Sequence, residues 1–280
     1  MTIWQTTRFA IDLGQPRVMG IVNVTPDSFS DGGRHAEAAS AIAHCDTLLC
    51  EGAHILDIGG ESTRPGARTP SPEEELQRVL PVLRHAVTLG VPVSVDTSQP
   101  LVMRAALDLG VDIVNDVRAL QRPGAMDALA AHAMAGVCLM HMQGEPGTMQ
   151  AAPSYGDVVS EVRDFLAERL AALRERGIDA RRIVVDPGIG FGKDVGHNLA
   201  LLQRQHELLA LGAPLLVGWS RKSTLGALTG RAVGDRLAAS LAAALLAVQR
   251  GARIVRAHDV AATVDALMVW QAVNENCEGV

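Results

Sequence analysis

The chain has 280 residues and a mass of 29.6 kDa, with 48% hydrophobic and 20% charged residues. That composition excludes a disordered chain and supports a full core. A net charge of −6 and a pI near 5.8 argue against nucleic acid or an anionic membrane as partner, so any cationic site is local.

The chain opens Met-Thr-Ile-Trp-Gln-Thr-Thr-Arg, without a basic stretch leading into an apolar one, so a cytoplasmic protein lacking a signal peptide is expected. A hairpin across the bottom of a barrel is predicted over about residues 3–14, centred on Thr6 to Leu13. Strands are predicted at 18–24, 55–58, 92–95, 113–116, 137–140, 183–185, 215–218 and 254–257. These runs are nearly all apolar, as in strands buried on both faces of a parallel sheet. Helical patterns fill the intervals. One starts at Ser71 as N-cap, with Pro72 first in the helix and Glu73, Glu74 and Glu75 in its positive first turn. Others close on Gly52, Gly90, Gly110, Gly136 and Gly251.

The apolar run 237–248, flanked by Arg236 and Arg250, falls short of the roughly 20 residues that cross a bilayer. Cys45, Cys50, Cys138 and Cys277 show no C-x-x-C spacing and suggest neither zinc nor a disulfide framework. Cys45 and Cys50 fit a helical pattern as small core residues. Eight strands alternating with eight helices over about 16–274 predict an α/β fold, a single-domain (β/α)8 TIM barrel spanning residues 1–280. An open doubly wound sheet is the alternative.

In such a barrel the chemistry sits at the carboxyl ends of the strands. Those ends read Asn23, Asp57, Asp96, Asn115, His141, Asp186, Ser220 with Lys222, and His258. Any one of them alone is as well explained as a cap or turn residue. A polar residue at every strand end is not, because one ring of loops would gather them all. Asp96, Asn115 and Asp186 supply acceptors and an amide, suited to a flat heterocycle with several N–H donors. Arg64, Arg221, Lys222, Arg256 and His258 supply cationic donors suited to phosphate or carboxylate. Arg256 interrupts the apolar run Ile254-Val255-Arg256-Ala257, where an unpaired cation would be costly.

Two loops exceed the usual βα length of about two to six residues and mark lids or binding loops. One runs from Asn23 to Gly33 and the other from Gly59 to Ala67. The stretch Asp186-Pro187-Gly188-Ile189-Gly190-Phe191-Gly192-Lys193 misses both the dinucleotide fingerprint and the Walker A spacing. Its glycines instead let backbone approach a ligand. Neither NAD nor ATP is indicated.

These two loops, with Val93 to Thr97, Val114 to Val117, Leu139 to Met142, Asp186 to Lys193, Gly218-Trp219-Ser220-Arg221-Lys222-Ser223 and Arg256-Ala257-His258-Asp259-Val260, resemble the dihydropteroate synthase family of pterin-binding barrels. The resemblance runs in order along successive strands from about residue 16 to 270. It implies a Mg²⁺-dependent homodimer that joins p-aminobenzoate to a pterin methyl diphosphate in folate synthesis and releases pyrophosphate. By that resemblance Asp96, Asn115, Asp186 and Lys222 hold the pterin, with Val117 and Met140 against its faces. Asn23, Thr63, Arg256 and His258 surround the diphosphate, with Asn23 also on the metal. Phe29, Pro65, Phe191, Ser220 and Lys222 shape the p-aminobenzoate pocket, where sulfonamides also bind, and Arg64 and Gly218 complete the substrate-binding set. Lys222, Arg256, His258 and Asp96 are the expected catalytic residues.

The resemblance further implies an SN1-like displacement at carbon without a covalent enzyme intermediate. A pterin-dependent methyltransferase and a non-catalytic pterin-binding paralogue are the rival readings. Four positions depart from the family pattern: Trp219, Arg118, Ala257 and Ala239. Trp219 is expected to pack outside the barrel, Arg118 to add a cation near the pterin, and the two alanines to alter packing only.

Overall fold

The computed structural model describes residues 2–24, 33–62, 68–145 and 147–275. Its strands are β1 (Ile3–Gln5), β2 (Ala10–Asp12), β3 (Arg17–Asn23), β4 (Ile55–Gly59), β5 (Val93–Asp96), β6 (Ile113–Asp116), β7 (Gly136–Met140), β8 (Ile183–Asp186), β9 (Leu215–Val217) and β10 (Ala252–Ala257). The helices are α1 (Gly33–Cys50), α2 (Pro72–Ala86), α3 (Pro100–Asp108), α4 (Ala125–Ala130), α5 (Val158–Glu175), α6 (Val195–Gln203), α7 (Ser223–Thr229), α8 (Leu237–Gln249) and α9 (Val260–Glu275). Strands β3 to β10 close into a parallel barrel in which β10 pairs with both β3 and β9. The predicted (β/α)8 TIM barrel is therefore the fold, and the open sheet is excluded. The predicted strands coincide with β3 to β10 to within two residues at either end.

Two apolar layers follow from the strand pleat, which sends alternate side chains to opposite faces. Outward residues such as Val18, Val22, Leu56, Val95, Val114 and Leu139 pack under the helices in one large cluster. Inward residues Met19, Ile55, Ile113, Cys138, Val184, Leu216 and Ile254 meet in a second cluster that fills the lower barrel. The β1–β2 hairpin supplies its underside: Trp4, Ile11 and Leu13 join this cluster, and the Trp4 indole donates to the Arg182 carbonyl at 2.9 Å. Arg8, between the two hairpin strands, pairs with the buried Asp112 at 2.6 Å. Asp112 in turn accepts from the Val93 amide, so the hairpin is fastened to the barrel wall. The predicted hairpin is thus a plug.

Helix α2 begins as its sequence dictates. Ser71 accepts from the Glu74 amide, the Glu74 side chain accepts from the Ser71 amide, and Pro72 stands first, a reciprocal cap that satisfies two orphan donors. Gly136 does not close a helix as expected: it opens β7, and a Cβ there would lie 3.1 Å from the Trp4 and Thr6 side chains of the plug. Cys50 is also a correction. Cys45 is buried, but Cys50, on the outer side of α1, is exposed. No helix among the described residues is long and apolar enough to cross a membrane.

Candidate active site

Same-face residues along a strand are two apart, so each floor residue has a successor one pleat higher. Ile55 is followed by Asp57, Ile113 by Asn115, Cys138 by Met140, Val184 by Asp186, Leu216 by Gly218 and Ile254 by Arg256. On β5 the pair is Ser94 and Asp96. One turn of the pleat therefore converts an apolar floor into a ring of polar groups at the carboxyl end. Register agrees: Asp96 stands beside Asn115 and Met140 beside Asp186. Val117, two beyond Asn115, is buried.

Arg256 organises one side of this ring. Its Nε donates to Asp57 Oδ2 at 2.6 Å and its Nη2 to Asp96 Oδ2 at 2.8 Å. Asn115 Nδ2 donates to the same Asp57 oxygen at 3.1 Å. Burial opposes the guanidinium charge, but Asp57 and Asp96 outweigh it and make Arg256 more basic than usual. For Asp96, burial raises the carboxyl pKa, Arg256 pulls it down, and Asp57, Glu75 and Glu61 push it up again. Glu75 is itself wholly buried behind this group, and burial pushes it up to about 7.

The opposite side is built by the glycine-rich loop after β8. Asp186 Oδ1 accepts from the Gly188 amide at 2.7 Å. Burial pushes Asp186 up to about 6, against the Gly188 amide, Lys222, Arg256 and Lys193. The Lys222 ammonium lies 4.3 Å from the centroid of the Phe191 ring, a cation–π contact. Burial pushes Lys222 down to about 8, opposed by Asp186 and assisted by Arg256. These two groups thus bracket neutral pH from either side.

Ser220 and His258 meet at the rim. The Ser220 hydroxyl contacts His258 Nδ1 at 2.9 Å and accepts from the His258 amide at 3.1 Å. Burial, with Arg256 and Arg221 nearby, pushes the imidazole down to about 4, so His258 is neutral at pH 7 and corrects the expectation of a cationic donor there; it can offer a hydrogen bond but no charge. Arg221 has a left-handed backbone with φ of 58°, a strained conformation for a non-glycine residue that such turns hold in place.

The ring thus brings together Asp96, Asn115, Asp186, Lys222, Arg256 and His258, with Met140, Val117, Phe191, Gly218 and Ser220 around them. Asn23 ends β3, exposed at the rim. Phe29, Thr63, Arg64 and Pro65 lie outside the described residues. Asp57 is the strongest omission from the expected set: its place at a strand end is legible, but its role needs the partner 199 residues away.

Three further expectations are corrected. His141 stands at odd parity beside Met140, so its ring turns outward and contacts Lys193 Nζ at 2.9 Å through Nδ1. Arg221 is not a free cation for a ligand, because it forms a two-pronged pair with Asp259 at 2.5 and 3.0 Å. Arg118 does not add net charge near the ring; it is buried between Glu145 at 2.8 Å and Glu61 at 3.4 Å. Trp219 is 1% exposed within the outer cluster, as expected of a ring packed outside the barrel.

Comparison with known proteins agrees with this geometry. The family model described as pterin binding enzyme matches residues 19–258. Dihydropteroate synthase of Neisseria meningitidis serogroup B is 55% identical over 280 residues, covering 98% of each chain. The solved Xanthomonas albilineans dihydropteroate synthase with 4-aminobenzoic acid is 55% identical, covers 95% of both chains and superposes with a TM-score of 0.89. The Burkholderia cenocepacia dihydropteroate synthase complexed with 7,8-dihydropteroate is 49% identical, covers 100% of this chain and 99% of that one, and has a TM-score of 0.89. With the motifs in order and the ring assembled from them, the chain belongs to the pterin-binding enzyme family, and within it to the dihydropteroate synthases.

Proposed function

We propose that this transferase condenses 6-hydroxymethyl-7,8-dihydropterin diphosphate with p-aminobenzoate, giving 7,8-dihydropteroate and pyrophosphate. The observation that carries the reading is a ring that sets buried carboxylates and an amide beside one paired arginine and one buried lysine. Asp186, Asn115 and Arg256 stand one pleat above the floor, with Arg256 held by Asp57 and Asp96, and His258 stands at the rim. A pterin's N–H edge would meet Asp186, with Asp96, Asn115 and Lys222 around it and Val117 and Met140 on its faces. The Burkholderia relative was solved with the pterin product and the Xanthomonas relative with the arylamine, which supports both halves of the substrate pair.

The bond between the pterin methylene carbon and the diphosphate oxygen breaks first, and its electron pair leaves with the diphosphate. The arylamine nitrogen then donates its lone pair to that carbon and sheds a proton to the departing diphosphate. Arg256 and His258 would stabilise the charge growing on the leaving oxygens, a gain realised chiefly in the transition state. Phe191, Ser220 and Lys222, with Phe29 and Pro65, would orient the arylamine and exclude water, which otherwise captures the cation. No side-chain nucleophile takes part.

Magnesium fits the donors present. Asn23 offers one amide oxygen at the exposed rim, and the described residues contain no group of three or more His, Cys, Asp or Glu to cage a metal. Mg²⁺ characteristically takes one or two protein ligands and completes its shell with waters and substrate phosphates. When bound, it supplies charge neutralisation on the diphosphate oxygens. The exposed apolar residues Leu246 on α8 and Met268, Val269 and Val273 on α9 support pairing of two copies, and the reading sets the enzyme in the cytoplasm.

The test is pyrophosphate release with the pterin diphosphate, with and without p-aminobenzoate and Mg²⁺. Release that needs Mg²⁺ and rises strongly with p-aminobenzoate is expected. Pterin binding without release would identify a silent paralogue and overturn the reading.

A further inference from the structure

The loop 187–193 has three glycines and few side chains of its own to hold it, yet its carbonyls are closely tethered. Lys193 Nζ reaches Gly188 O at 3.1 Å and Phe191 O at 3.0 Å. Its remaining strong contact is His141 Nδ1 at 2.9 Å. Burial and Lys193 together push His141 down to about 3, so the imidazole is neutral and its Nδ1 accepts. With the His141 carbonyl at 3.4 Å, four acceptors surround Lys193 Nζ in a pocket where the residue is 2% exposed and burial pushes it down to about 7.

The β7–α5 connection ties the other carbonyls. Gln150 Nε2 donates to Gly190 O at 2.6 Å and the Tyr155 hydroxyl to Gly192 O at 2.8 Å. Asn198 accepts from the Gly190 amide at 2.8 Å and donates to Thr224 at 2.9 Å, at the start of α7. What the loop carries gives this clasp its consequence. A Cβ on Gly190 would lie 3.2 Å from Lys222 Cδ, and the Phe191 ring lies under the Lys222 ammonium. The loop is the surface along which Lys222 is laid.

We propose that Lys193, fastened to His141, is a positioning residue for the condensation: it holds loop 187–192 so that Phe191 and Lys222 are preset at the mouth of the barrel. Lys193 touches no substrate. The inference rests on the proposed reading that Phe191 and Lys222 line the substrate site.

The experiment compares wild type, Lys193→Met, Gln150→Ala and Asp112→Asn. Amide hydrogen exchange of 187–193 is measured without ligand, alongside pterin diphosphate Kd, KM for p-aminobenzoate and kcat. Lys193→Met is expected to speed exchange in the loop and raise Kd and KM about tenfold, with kcat at saturation within about twofold of wild type. Gln150→Ala, an exposed change, shifts the same quantities about threefold in the same direction. Asp112→Asn weakens the plug at the far end and lowers the melting temperature, but leaves loop exchange and KM as in wild type.

Unchanged exchange in Lys193→Met overturns the proposal, as does faster exchange with unchanged KM and Kd, or an equal KM shift in Asp112→Asn. If Lys193→Met does not fold, wild-type Kd and KM in Gln150→Ala overturn it. Wild-type protein that binds pterin but releases no pyrophosphate removes the functional reading and the proposal with it; the ligand-free exchange data tell that failure from a loop that was never clasped.

Discussion

Arg256 donates its Nε hydrogen to Asp57 across 2.6 Å, and Asp57 is wholly buried beneath it. The pair spans β10 and β4, neighbours on either side of β3, so the arginine is aimed by a carboxylate it cannot lose cheaply. Asp57→Asn is expected to lower stability by about 1–3 kcal/mol, because it weakens a charge-assisted hydrogen bond while Asp96 still pairs with Arg256. It is also expected to lower kcat/KM by at least about a hundredfold through misdirection of Arg256. Urea melts and steady-state kinetics check the two effects separately.

Asp186 and Lys222 are ring groups on opposite sides of neutrality, and Asp96, raised by burial against the pull of Arg256, titrates in the same range. Asp186 titrates near 6 and must shed its proton to accept from a pterin N–H; Lys222 titrates near 8 and loses its charge above that. The expected kcat/KM for the pterin diphosphate rises through pH 6 and falls through pH 8. Lys222→Arg keeps its cation at all accessible pH, so it removes the alkaline limb and leaves the acid limb in place. A profile in which both limbs persist would assign the alkaline limb elsewhere.

Gly188 has a φ of 70°, and a Cβ there would lie 1.9 Å from the His141 carbonyl oxygen. Neither the backbone conformation nor the space admits a side chain. Gly188→Ala is expected to displace the amide that holds Asp186, and to lower the melting temperature as well, because the neighbouring Ile189 packs in the outer apolar layer. Pterin affinity measured by calorimetry should fall by at least about tenfold.

Trp4 is fully buried in the floor and bonded to the Arg182 carbonyl. Trp4→Ala is expected to cost about 3–5 kcal/mol, the usual range for emptying a large aromatic site in a core. Because the floor lies a full pleat below the ring, kcat at a temperature well below the melting point should stay within about twofold. A parallel loss of kcat would show that the plug shapes the ring.

The barrel and its strands were legible because each strand is a short apolar run followed by a break, and a two-faced buried strand needs little else. The ring was legible for a related reason: polar residues at strand ends stand out against such runs. Parity was the part that escaped. Met140 and His141 are adjacent in sequence, yet the pleat sends one into the cup and the other behind it, and nothing in the run announces which. The ion pairs of Arg118 and Arg221 were hidden similarly, since Glu61, Glu145 and Asp259 are brought to them by loop geometry. Arg256 was the exception. Its apolar surroundings demanded a partner, although only the closed barrel supplies Asp57.

The plug formed by β1 and β2 leaves the barrel open at one end only. A cup with a single mouth is filled and emptied in sequence: whatever rests on Asp186 and Asn115, one pleat above Trp4 and Ile113, enters before anything seated at Phe191 and Ser220. On the proposed reading the joined product departs as one body past the rim. On that reading an order of entry follows from the floor of the barrel, at the end where no chemistry takes place.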